Sequence, residues 1–297
     1  VYTMIFHYLK IAFRNLCKHK TQNIISIIGL AVGLLCFCVC IYCSRFVEST
    51  DHCFANHDRI AELNLYDGKA DRYFSGSPVP LAEELRTWAL GETEAISSVT
   101  YPRERPYYVE LSPEKTLPYE LETIEIDTCY NKIFTPEMVA GHWKMASQSL
   151  NSVILSQSMA IKIFGNAESA IGKHMTLMRR LNTSPESTPK TGGIVYTIQA
   201  VMKDIPLNNS LDFMQNIDML TVNDSEGLLQ SSKRHNMTGA NTYVLLSPQT
   251  TCTDLEKQFS KRGYTYTLYG EAYTVTASSM GARLKKQGAS YLGLVTG

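Results

Sequence analysis

Hydrophobic positions along this chain fall into two regimes. Between Thr21 and Ser44 no charged residue occurs, and the stretch Ile24 to Tyr42 reads IISIIGLAVGLLCFCVCIY. Roughly 20 helical residues at about 1.5 Å each cross a hydrocarbon layer of about 30 Å, so this run predicts one transmembrane helix over 21–44. Each Leu, Ile, Phe or Val contributes roughly −0.3 to −0.6 kcal/mol to insertion, and no Lys, Arg or Asp opposes it. Upstream, Ile5, Leu9, Phe13 and Leu16 recur at three- and four-residue spacing opposite Lys10, Arg14 and Lys18. That pattern predicts an amphipathic basic segment over 1–20, lying on the membrane surface.

After Ser44 the pattern alternates between helical and strand periods without a repeat, which predicts an α+β domain over 45–275. Leu81, Leu85 and Trp88 space a helix that opens at Pro80 and stops at Gly91. Gln157 to Phe164 reads as a short helix closed by Gly165, and Thr253-x-x-Glu256 as a capping box opening another that buries Leu255 and Phe259. Strands are expected at Tyr107–Leu111, Leu121–Ile126, Ser152–Leu155, His174–Met178, Ile194–Met202, Phe213–Leu220 and Thr242–Leu246. The Ser-, Thr- and Pro-rich stretch Leu181–Gly193 reads as a surface loop, and the Gly/Ser/Ala-rich end, 276–297, as a disordered tail.

Charge sets the direction of the span. The 28 Lys and Arg balance the 28 Asp and Glu, but before Arg45 the charged groups are Lys10, Arg14, Lys18 and Lys20. The chain beyond Ser44 carries 24 positive and 28 negative groups, a net of −4. Positive charge on one flank only places the N-terminus in the cytoplasm and the main domain outside. A cleaved signal peptide shares the basic-then-apolar order, but the apolar run is too long and Cys43-Ser44-Arg45-Phe46 is a poor cleavage site, so a retained anchor is favoured. Met4 is the expected translation start. A chain of zero net charge offers no field for nucleic acid.

Candidate chemistry adds little. Gly29 and Gly33 form a G-x-x-x-G that would let a second helix approach closely, though an incidental spacing explains the pair equally well. Cys36, Cys38 and Cys40 cannot share a helical face, and Cys53, Cys129 and Cys252 leave room for one bridge and no disulfide framework. Asp51, His52, Cys53, His57 and Asp58 have metal-ligand chemistry, but a structural turn is the preferred reading. Ser156 and Ser158 lack a G-x-S-x-G elbow and suit helix capping. With no G-x-x-x-x-G-K-[ST] loop the chain is not expected to hydrolyse ATP, and no enzyme activity or cofactor is expected.

Several blocks, in order, resemble the FtsX/MacB class of ABC-transporter permeases. Tyr8 to Leu16 with Lys18 and Lys20, followed by Ile27-Ile28-Gly29-Leu30-Ala31-Val32-Gly33-Leu34, is similar to that family's first cytoplasmic and membrane helix. Asp58-Arg59-Ile60, Phe134, Ala140-Gly141, Val153 to Ser156, Ala160, Ile163-Phe164-Gly165, Ile171-Gly172-Lys173 and Thr197 to Pro206 come next, in the family's order. The resemblance implies a MacB-like periplasmic core domain on an inner-membrane anchor. It implies a role in efflux or lipoprotein release, the outer domain handling substrate or relaying ATPase-driven motion. The partners expected are the lipid bilayer, an ABC ATPase subunit, further permease helices and, as an assembly, a homodimer. Permeases of this class return to the membrane, whereas no second run of about 18 apolar residues occurs here; a truncated gene, a split partner or a fragment would each account for that. The alternative is a single-span binding or adaptor protein for which Trp88, Tyr101, Tyr107 and Tyr108 could furnish an aromatic patch, although core packing is the preferred reading of most of them.

Overall fold

The computed structural model describes residues 4, 7, 8, 14, 18, 20–74, 76–88, 90–112, 115–149, 151–177, 193–211, 216–222, 240–268, 270–280 and 282. They form two units, 1–49 and 50–297. The first contains helix α1, Lys20–Glu48, which is exposed along its apolar length and is long and apolar enough to cross a membrane. At about 1.5 Å per residue its 29 residues extend about 43 Å, more than a hydrocarbon layer requires. Arg45 lies in its last turn, where a cation complements the helix dipole, and Ser49 Oγ donates to the Phe46 carbonyl at 3.1 Å.

The second unit is α+β. Its strands are β1 (Ile60–Asp67), β2 (Arg72–Tyr73), β3 (Thr93–Thr100), β4 (Arg103–Ser112), β5 (Lys115–Ile126), β6 (Met138–Gly141), β7 (Ser152–Ser156), β8 (His174–Leu177), β9 (Ile194–Met202), β10 (Met219–Val222), β11 (Ala240–Leu246), β12 (Thr265–Leu268) and β13 (Glu271–Ser279). Its helices are α2 (Pro80–Thr87), α3 (Tyr130–Phe134), α4 (Trp143–Gln148), α5 (Gln157–Phe164) and α6 (Cys252–Lys261).

Hydrogen bonding divides the strands into two halves. β10, β7, β9, β8, β4 and β5 pair in turn, and β10 pairs back onto β5 in parallel, Met219 opposite Thr123 and Val222 opposite Ile126. This closes a ring of strands, a small barrel whose interior is filled by side chains. Tyr107, Val109, Leu121, Val153, Leu155, Met175, Tyr196, Ile198 and Met219 form its core. All five residues of β7 are buried, Val153 and Leu155 within the barrel core and Ile154 in the neighbouring one, as expected of a strand covered on both faces. The other half is an antiparallel sheet in the order β3-β11-β1-β13-β12, with α2 and α6 packed on Leu63, Leu65, Val244 and Val275. The ladder between the halves is one pair, Val99 with Ile126, and a further apolar cluster around Phe134, Ile124, Ala200 and Leu245 belongs to both.

Local sequence explains the helices. Ser156 accepts the Met159 amide and Gly165 ends α5 at φ +87°, so α5 spans the expected residues and buries Met159, Ala160 and Ile163. Fully burying such a side chain contributes about 1.5–3 kcal/mol. The capping box of α6 is formed by Thr251 and Asp254, two residues before the expected pair; Glu256 instead accepts the Ala277 amide at 2.9 Å. Two further expectations change. The alternation Tyr273, Val275 and Ala277 carries β13 to Ser279, beyond the expected start of the tail at 276. Asn216 to Asp218 are not strand, which confines β10 to Met219–Val222. Most of the expected loop 181–193, residues 213–215 and most of the amphipathic segment lie outside the described residues.

Candidate functional site

The segment that enters the outer domain, Thr50 to Ile60, is built from residues that each grip a different element. Asp51 is 2% exposed and adopts φ +71°, a left-handed conformation uncommon outside Gly but more accessible to Asn and Asp than to most residues. Its two carboxylate oxygens each accept from Ser210, Oδ1 from the amide and Oδ2 from the hydroxyl, both at 2.6 Å. Its own amide donates to the Asn208 carbonyl at 3.0 Å. Charge-assisted hydrogen bonds of this length are about twice as strong as neutral ones. The loop that receives Asp51 is braced from within: Asn209, fully buried, donates to the Pro206 carbonyl and accepts the Leu211 amide.

Three residues on, Phe54 packs edge-on against Phe134 with ring centroids 5.1 Å apart, and Phe134 meets Tyr243 in the same geometry at 5.2 Å. Asn56 donates to the carbonyls of Ile133 and Lys132 at 3.2 and 3.3 Å, satisfying the end of α3. Arg59 donates to Glu94 at 2.9 Å and to the Leu246 carbonyl at 3.1 Å, which clamps the start of β1 onto β3 and β11. The Asp58-Arg59-Ile60 block therefore acts as a structural junction, with Ile60 buried as the first residue of β1.

The metal-type residues do not converge. Asp51 is engaged with Ser210, the His52 and His57 rings lie 4.4 Å apart, and His57 Nε2 sits 3.2 Å from Asp58. Desolvation by packed neighbours, aided by the Asp51 charge, pushes the Cys53 thiol up to about 11, which keeps it protonated and a poor nucleophile. Cys53, Cys129 and Cys252 are all free thiols. No cluster of three or more His, Cys, Asp or Glu among the described residues has metal-holding geometry.

The other expected site residues lie in the first unit. Gly29 and Gly33 are on α1 with open space where a Cβ would sit. Arg14, Lys18 and Lys20 are helical and exposed, while Lys10 lies outside the described residues. Core packing, the preferred reading of these aromatic residues, is what Tyr107 and Trp88 adopt. Tyr107 is wholly buried in the barrel because its strand alternation points it inward, and Trp88 packs on Tyr264 at 4.3 Å. Sequence reasoning missed Ser210; the signal was the turn-forming run Pro206-Leu207-Asn208-Asn209-Ser210 directly after a strand.

Glycines quoted in the resemblance have backbone reasons. Gly141 has φ +70°, and a Cβ there would stand 2.3 Å from the Gln199 carbonyl oxygen, so the β6 to β9 contact requires Gly. Gly172, φ +78°, donates to the Ile198 carbonyl at 2.8 Å and turns the chain into β8.

An N-terminal apolar helix leading into a mixed domain, part barrel and part sheet, defines a membrane-anchored extracytoplasmic module. The sequence signature of the MacB-like periplasmic core domain matches residues 24–262, and the chain belongs to that family, the periplasmic domains of MacB/FtsX-like ABC permeases. Among solved structures, it is similar in fold to a domain described as that of a permease from Porphyromonas gingivalis. Identity there is 22% and the TM-score 0.55, covering 76% of this chain and 93% of that one. The periplasmic region of MacB from Actinobacillus actinomycetemcomitans is also similar, at 13% identity and TM-score 0.48, over 80% of this chain and 94% of that one. No curated protein matches the chain.

Proposed function

We propose that this chain is a permease component of an ABC-type efflux or lipoprotein-release system of the inner membrane, with residues 1–20 in the cytoplasm and the domain from Thr50 in the periplasm. In this reading a separate ATPase hydrolyses nucleotide, contacts the basic segment around Lys10, Arg14, Lys18 and Lys20, and displaces α1. Further permease helices pack against Gly29 and Gly33, and the outer domain relays the displacement to its substrate or partner.

The observation that carries this reading is the short, pinned route out of α1. The helix ends at Glu48, and by Asp51 the chain is already held by hydrogen bonds from a distant loop. A flexible tether, as an adaptor would use, calls instead for a run of Gly and Ser. The experiment is affinity purification of the full chain from detergent-solubilised membranes with a co-expressed ABC ATPase. Retention of the ATPase, and its loss when Arg14, Lys18 and Lys20 are replaced by Glu, is the expected result. No retention by the unmodified chain overturns the coupling. Reporter fusions at both termini test the orientation, an active periplasmic reporter being expected at the C-terminal end only.

A further inference from the structure

We infer that the contact between Asp51 and Ser210 is a latch that passes displacement from the membrane helix to the barrel half of the outer domain. The inference deepens the proposed relay and rests on it.

The argument starts from connectivity. The chain leaving α1 runs through Thr50 to Ile60 into β1, and the strands hydrogen-bonded to β1 are β11, β13 and β2, all outside the barrel. The covalent route from the helix therefore leads into the antiparallel sheet. Between sheet and barrel the ladder is a single pair, Val99 with Ile126; Thr100 accepts the Glu125 amide, Asp127 after β5 accepts from Ser97, Ser98 and Arg86, and the remainder of the junction is apolar packing. Apolar packing is non-directional and permits small sliding of one layer over another, so by itself it transmits a pull poorly.

Asp51 supplies a second grip ahead of β1. Ser210 lies on the loop that leaves β9 and leads to β10, and both of these are barrel strands. The same loop is anchored in the shared core by Leu211, 8% exposed, and its turn is fixed by Asn209. A displacement arriving at residue 51 thus divides: through β1 to the sheet, and through the carboxylate to the barrel.

The local chemistry suits this division. A left-handed backbone at residue 51 is met most simply by Gly and is tolerated by Asn and Asp alike. Asp adds a buried charge whose two oxygens take both donors of one residue, and burial keeps water from competing for them. Phe54 and Asn56 grip α3, so residues 51–56 are held at three successive points of the outer domain.

Hydrogen exchange of the full chain in detergent micelles tests the latch. In Ser210→Ala, and in Asp51→Asn, which tolerates the same backbone conformation, amides of 50–56 and 205–211 should exchange faster together, by roughly ten- to a hundredfold. Those of 60–66 in β1 and 194–202 in β9 should stay as slow as in the unmodified protein. Acceleration confined to one of the two segments overturns the latch, because the bond would not then tie them. Acceleration spreading through β1 and β9 also overturns it, showing a general role in folding. The measurement uses neither nucleotide nor ATPase, so its failure leaves the permease reading standing, whereas failed ATPase retention leaves the latch standing.

Discussion

The Arg86 guanidinium closes directly on the Asp127 carboxylate, joining α2 to the residue immediately after β5. Asp127 is 1% exposed and also accepts the Ser97 hydroxyl at 2.8 Å, the Ser98 amide at 3.0 Å and the Cys129 amide at 2.9 Å. Arg86 further donates to the Ile96 carbonyl at 2.8 Å and to Glu83 at 2.9 Å. Both Asp127 oxygens are matched, which is the condition under which a buried pair is tolerated. Asp127→Ala strands a mostly buried cation and several donors, and should cost about 3 kcal/mol or more. Urea unfolding of the chain in detergent, with an unchanged slope and a lower midpoint, would show it.

Phe134 sits among Phe54, Tyr130 and Tyr243 with ring centroids 5.1, 4.6 and 5.2 Å away. It joins the entering segment to the core shared by both halves. Phe134→Ala should cost about 3–5 kcal/mol, whereas Phe134→Leu should recover more than half of that. Thermal unfolding of the two variants side by side separates loss of volume from loss of the aromatic contacts.

Glu104 and Glu122 face each other directly across β4 and β5. Burial, then the Glu104 charge, then Asp218 raise the Glu122 carboxyl above its ordinary value of 4.5. A raised carboxyl holds its proton more tightly when folded than unfolded, so its contribution favours the fold at acid pH and is lost as pH rises through the raised value. Glu122→Gln should accordingly stabilise by roughly 0.2–0.5 kcal/mol at pH 7, after allowance for solvent screening. The gain should shrink below pH 4.5, and melting curves at pH 7 and pH 4 check the sign.

Gly141→Ala places a methyl within 2.3 Å of the Gln199 carbonyl oxygen and 2.8 Å of the Ala200 Cα, both backbone atoms of β9. The left-handed φ adds about 1 kcal/mol or more, so a loss of at least about 2 kcal/mol is expected. Gly165→Ala has the same sign of φ and open space around it, and should lose about half as much. Comparing the two midpoints isolates the close approach from the backbone conformation.

Gly29→Leu with Gly33→Leu should leave α1 itself intact, since a Cβ at either position meets nothing. An effect would therefore report a partner helix. Cross-linking of the full chain with co-expressed permease helices should fall severalfold in the double variant. Unchanged cross-linking would remove the pair from any interface.

How much of this was legible depended on whether the information was local. α5 with its Gly165 stop and the strand Ile194–Met202 derive from capping and alternation, and their bounds agree with expectation, whereas α1 runs to Glu48, four residues past the expected end. β1 was missed because Ile60-Ala61-Glu62-Leu63-Asn64-Leu65 alternates around a buried Glu62, a residue that reads as surface until its neighbours are known. β3 carries Ser97 and Ser98 in its middle; these are hidden by Asp127 and by pairing with β11, contacts about thirty or more residues away in sequence. The capping box shifted by two residues because Thr251 and Asp254 compete better for the helix start than Thr253 and Glu256. Asp51 was noted for its ligand chemistry, but its partner lies 159 residues further along and no local pattern joins them.

Barrel closure through β10 sets an order on biogenesis. Thr123 waits for Met219, so as the polypeptide emerges N-terminus first at about 5–20 residues per second, the completed run of staves from β4 to β9 stays an open apolar trough for about 1–4 s. A holding chaperone would find a client surface there, and a ribosome stalled before residue 219 would release a product unable to shut its own wall.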